Sequence, residues 1–173
     1  MILSAVLAIL LQAAAAPEAP PEPSPPACST DRHGEFDFWV GEWDVYRFGT
    51  DTKVAQSRIE RMHSGCAIRE TWMPLKGDGG SSLSNFEPAT GLWHQTWIGA
   101  APGRVEFQGG SPAEGTMVLT GWWRNVAGPE KHGWIRMTYT VGPDGSVRQH
   151  GELSTDHGLK WKTAFDFAYR AKK

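Results

Sequence analysis

From Trp43 onward the chain is cut into short β-prone runs by turn-forming residues, and no long helical pattern interrupts them. The runs are 43–48, 54–63, 66–73, 81–86, 93–98, 105–108, 116–123, 134–141, 147–154 and 161–170. Gly77-Asp-Gly-Gly80, Glu87-Pro-Ala-Thr-Gly91 and Gly142-Pro-Asp-Gly145 are among the breaks between them. Only residues 35–40 suit a helical turn. About ten strands with mostly short connections form a sandwich or close into a barrel. Because each run is set to pair with the next, the expected fold is all-β, an antiparallel up-and-down β-barrel.

The residues before these runs are a different material. All 20 glycines lie at or after Gly34, whereas six of the 12 prolines fall between Pro17 and Pro26. Residues 2–11 are apolar, too short for a membrane span of roughly twenty residues, and Ala13 to Ala16 supply small residues for cleavage. No Lys or Arg precedes the apolar run, a departure from the usual leader. The reading is a signal peptide over 1–15, a Pro-rich linker over 16–33, and a barrel domain over 34–173. It implies a periplasmic or secreted protein with no membrane span after cleavage.

From Cys28 onward the chain carries 17 acidic and 17 basic residues, the 19 acidic residues of the whole chain less Glu18 and Glu22. A neutral domain with no basic block lacks the footprint of a nucleic-acid binder. Cys28 and Cys66 are the only cysteines. In an oxidising compartment a disulfide is their default state, contributing about 3–4 kcal/mol in the chain-entropy model. His63 near Cys66 offers a metal too few partners, since no second Cys/His pair exists to complete four ligands.

Closure has its own signal. Gly41-Glu-Trp43 opens the first run and Arg170 ends the last. In lipocalin-like (calycin) barrels a Gly-x-Trp seals the floor and an Arg of the last strand packs on that Trp. By that resemblance Gly41, Trp43 and Arg170 are the expected barrel floor.

Longer stretches extend the likeness. They include Phe36-Asp-Phe-Trp-Val-Gly-Glu-Trp-Asp-Val45, Ile59-Glu-Arg61, Gly65-Cys66 with Glu70-x-Trp72, and Asn85 with Pro88-Ala-Thr-x-x-Trp-His-Gln-Thr-Trp97. Val147-Arg-Gln149, Glu152-x-Ser154 and residues 161–169 continue it. Over about residues 28–170 the chain resembles a family of exported bacterial lipocalin-like proteins of unknown function, related to the nitrobindin fold. The resemblance implies a barrel with a cavity and no established activity. His150-Gly151 stands where two bulky apolar residues are expected, so the cavity wall there is expected to differ.

Alternation assigns side chains to shared faces. Cys66, Ile68, Glu70 and Trp72 share one; Trp93, Gln95 and Trp97 another; Trp134, Arg136, Thr138 and Thr140 a third; Val147, Gln149, Gly151 and Leu153 a fourth. Each mixes apolar bulk with one or two polar groups, which suits a ligand cavity and equally a packed interior with a hydrogen-bond network. Glu70, Trp72, Gln95, Trp97, Arg136 and Gln149 are therefore candidate ligand-binding residues if those faces turn inward, and surface or structural residues if they do not.

Ser154-Thr-Asp-His-Gly-Leu-Lys-Trp161 matches a hairpin device in which Asp binds turn amides and Trp packs beneath. His33 in the tail, and His132 and His157 in turns, are expected to be solvated. His63, His94 and His150 lie in strand runs, but nothing pairs them at ligand spacing, so neither haem nor a metal is expected. No nucleophile elbow, phosphate loop or free Cys–His pair is present. No catalytic residue or cofactor is assigned. The expected function is binding of a small apolar or amphipathic molecule within the barrel. The rivals are an isomerase or cyclase using Glu70 or Arg136, and a packed barrel whose Trp-rich rim binds an envelope partner.

Overall fold

The computed structural model describes residues 28–173. The expected signal peptide over 1–15 and the linker up to residue 27 lie outside the described residues. The strands are β1 (Gly41–Arg47), β2 (Lys53–Met62), β3 (Ala67–Pro74), β4 (Gly80–Glu87) and β5 (Leu92–Ile98). They continue as β6 (Val105–Ala113), β7 (Thr116–Trp123), β8 (Gly133–Val141), β9 (Val147–Ser154) and β10 (Lys162–Ala171). Each pairs antiparallel with its successor, and β1 also pairs with β10, so the sheet closes into a ten-stranded barrel. Closure satisfies the backbone groups that an edge strand would leave open.

One end of the barrel is plugged. The 3-10 turn Asp37–Trp39 runs beneath it and places Phe36 and Trp39, both fully buried, inside. Their rings stack with centroids 4.9 Å apart, and Phe36 meets Trp93 and Tyr139 edge-on. Trp43 Nε1 donates to the Trp39 carbonyl at 2.9 Å, tying β1 to the plug. Gly41 sits at φ +153°, and a Cβ there would lie 3.3 Å from the Trp43 ring. Glycine thus lets that ring fold back under its own strand.

Arg170 does not complete this floor. Tyr169 pairs with Val45 and points inward, so the period of two turns Arg170 outward. Its guanidinium lies 4.3 Å from the Tyr46 ring centre and donates to Asp51 Oδ1 at 2.9 Å. The ring beside Trp43 is that of Tyr169, at 6.3 Å.

A disulfide joins Cys28 to Cys66 and anchors the segment leading into the plug. The folded unit takes in residues before Gly34, because a one-turn helix, α1 (Asp31–Gly34), packs on the barrel. His33 is buried there rather than solvated: its ring meets Phe86 edge-on at 5.3 Å and its Nδ1 lies 2.6 Å from Thr30 Oγ1. The β9–β10 turn has the hairpin form expected of its motif. Asp156 Oδ1 accepts from the Lys160 amide at 2.9 Å, Gly158 is at φ +89°, and Trp161 Nε1 donates to the Gly158 carbonyl at 3.0 Å.

Candidate functional site

Above the plug, toward the opposite end, the interior holds a cavity of about 260 Å³. Glu70 and Trp72 from β3, Gln95 and Trp97 from β5, and Gln149 from β9 all line it. Alternation predicts these five as face-mates, and their faces turn inward. Arg136 is not with them. On β8 the inward phase is Ile135, Met137 and Tyr139, which leaves Trp134 and Arg136 outside. There Arg136 donates to Glu152 Oε2 at 2.9 and 3.0 Å and covers the Trp161 ring. Both phases of β8 carry bulk, but only the one without a guanidinium can be buried at low cost.

The cavity has two levels. Its upper wall is aromatic: Trp72, Trp97, Phe107, Trp123, Phe165 and Phe167. Glycines make room for three of these rings. A Cβ on Gly151 would come within 2.2 Å of Phe165, on Gly80 within 2.6 Å of Trp97, and on Gly121 within 2.7 Å of Phe107. The departure noted at His150-Gly151 thus has a structural counterpart: the space of a bulky side chain on β9 is taken by a ring from β10.

The lower level is polar and buried. Glu70 Oε1 accepts from Ser57 Oγ and Oε2 from Ser82 Oγ, both at 3.1 Å. The Tyr169 hydroxyl lies 2.7 Å from Gln149 Oε1 and 3.4 Å from Glu70 Oε1. Gln149 Nε2 donates to the Tyr139 hydroxyl at 3.0 Å, and Gln95 Nε2 donates to Ser84 Oγ at 3.0 Å.

Burial dominates the titration of Glu70. Loss of water raises its pKa to about 7, against the opposing pull of the hydrogen bonds from Ser57, Ser82 and Tyr169. Tyr139 and Tyr169 are pushed upward, first by burial and then by the negative charge Glu70 acquires when ionised. Tyr169 has one proton to share between two acceptors, and the shorter contact is the one to Gln149. Among the described residues, this lining offers one carboxyl, two amides and two phenols, with no imidazole or thiolate. That is a hydrogen-bonding set rather than a metal-ligating one. His94 and His150 are on the outer face, near Thr90 and Thr163, and His63 is in an exposed 3-10 turn.

Sequence reasoning does not single out Phe107, Trp123, Met137, Tyr139, Tyr169, Phe165 and Phe167 as cavity residues. The i, i+2, i+4 spacing of the last three on β10 was the available signal. A wider hollow of about 650 Å³ lies outside the plug, along Cys28–Asp31 and Arg61. It is open to solvent and crossed by the Arg61–Asp37 ion pair, so it offers little enclosure.

Fold and site together define a closed up-and-down barrel with one plugged end and an aromatic cavity over a buried carboxyl. No family model matches the chain, and no curated protein aligns with it.

Proposed function

We propose that this is an exported binding protein that holds one small, ring-bearing, mostly apolar molecule in the barrel, polar end down. The carrying observation is the two-level cavity, six aromatic rings above a hydrogen-bonded floor around Glu70. An apolar cavity near 150 Å³ accepts benzene, so about 260 Å³ suits a molecule of one or two rings. The polar groups at the floor would orient it, as in most small-molecule sites. The disulfide and the leader-like segment at 1–15 support export to the periplasm or beyond. The resemblance to exported calycin-type barrels points the same way.

The test is a panel of one- and two-ring phenols, amines and ketones, read by tryptophan emission and thermal unfolding. A fitting ligand saturates at one per chain and stabilises the fold by about 2.7 kcal/mol at a hundredfold excess over Kd. Trp97→Ala weakens it, whereas Trp134→Ala on the outer face does not. A panel that yields neither quenching nor a thermal shift overturns the proposal.

The raised pKa of Glu70 favours a second reading, proton transfer to or from the bound molecule. It requires product formation from a ligand of that panel, lost in Glu70→Gln while binding remains. The variant with Arg136 as partner is set aside, because that side chain is outside the barrel.

A further inference from the structure

Exposed apolar side chains are gathered around the open end of the barrel. Leu75 and Leu159 stand in the β3–β4 and β9–β10 loops, 58% and 84% exposed, and Phe48 stands in the β1–β2 loop with one ring face under the Arg148 guanidinium. Met73, Ile98, Trp122 and Trp134 are exposed at strand ends on the same rim. Among the described residues nine large apolar side chains are exposed, and these are seven of them; Leu83 is midway along β4, and Val141 is at the plugged end. Trp122 and Trp134 face each other across β7 and β8 with ring centres 5.6 Å apart.

A protein partner of ordinary size would call for a contiguous patch on one side. Here the apolar groups encircle an opening, on strands and loops all round the barrel, and a plane touches such a ring at once. Tryptophans at a rim with leucines beyond them match the ordering of a membrane interface, where indoles settle at headgroup level. Leu75 and Leu159 are each followed by a lysine, Lys76 and Lys160, which suits phosphate headgroups. The five mouth loops carry five cations (Lys76, Arg104, Arg124, Lys131, Lys160) against four carboxylates (Asp51, Asp78, Glu130, Asp156). Attraction by charge is therefore small, and apolar insertion has to supply the binding. A spanning barrel does not fit. Arg69–Glu60, Arg136–Glu152 and Arg148–Asp166 ion pairs occupy the outer face of the strands, where lipid tails would meet them.

We propose that the open rim docks shallowly on a phospholipid bilayer, mouth toward the lipid, so that the cavity opens onto the membrane surface. Docking does not depend on what the cavity holds.

The experiment is co-sedimentation of the disulfide-bonded protein with phosphatidylcholine vesicles, with and without phosphatidylglycerol, at low and high salt. Wild type is expected to sediment with both compositions and to persist at high salt, with tryptophan emission quenched by brominated acyl chains. The double variant Leu75→Asp/Leu159→Asp, at two exposed loop positions, should lose at least tenfold in partition, since each leucine leaves water on insertion. Val141→Asp at the plugged end should bind as wild type does. Wild type left in the supernatant overturns the proposal, as does a double variant that binds equally well or binding abolished by salt. Self-association of wild type through the rim, without vesicle binding, would assign the surface to a second copy instead.

Discussion

The two halves of this barrel use the same aromatic residue types for opposite ends. In the plugged half, Phe36, Trp39, Trp93 and Tyr139 interlock with ring centres between 4.9 and 5.8 Å apart, and space is filled. In the mouth half, Trp72, Trp97, Trp123 and Phe165 surround a cavity, with glycines on neighbouring strands giving room behind Trp97 and Phe165. The first arrangement fills its space and the second leaves it open. What separates them is the layer of polar groups around Glu70.

Truncating the plug should have the largest effect. Trp39→Ala removes a fully buried ring and should cost about 3–5 kcal/mol in urea unfolding. Trp97→Ala, in a wall already facing empty space, should cost clearly less; equal losses would erase the distinction between the halves.

The polar layer should make stability depend on pH. Glu70 has a folded pKa of about 7 against 4.5 in a free chain, so between these values the folded state keeps a proton that the unfolded chain has released. Stability is then full below about pH 4.5 and falls as pH rises toward 7, by on the order of 3 kcal/mol in total. Glu70→Gln keeps the hydroxyl contacts without the charge. It should unfold at a higher temperature than wild type at pH 8 and should lose this fall. A wild type whose stability rises through that window at Glu70's expense would mean the carboxyl is ionised in the fold.

Smaller still is the outer latch. Arg170→Ala breaks a surface ion pair with Asp51 and a stack on Tyr46, and should cost at most about 1 kcal/mol. A loss as large as that of Trp39→Ala would return Arg170 to the floor.

Much of the fold is legible in the sequence because alternation and turn residues agree. All ten runs are strands, and Glu70, Gln95 and Gln149 do share the interior. Phase is legible only where the two faces of a strand differ. On β8, Trp134 and Arg136 compete with Ile135 and Met137, and the cost of burying a guanidinium decides between them. Arg170, expected at the floor from the family resemblance, is one residue out of phase, because the inward position there belongs to Tyr169. The plug is hidden because Phe36 and Trp39 sit in a short irregular segment with no period to read. The partners of Glu70 are serines on β2 and β4, common residues whose importance comes only from pairing in three dimensions.

If the mouth half is open in order to hold a ligand, filling it with protein atoms should weaken binding. Gly151→Ala adds a single methyl group that collides with Phe165, so the ring must move toward the cavity. Titrating a two-ring phenol into wild type and Gly151→Ala by calorimetry should give one site per chain in the first and a severalfold weaker site, or none, in the second. Stability should fall by about 1–3 kcal/mol, leaving the protein folded for the titration. Identical binding curves for the two proteins would place the ligand outside the barrel.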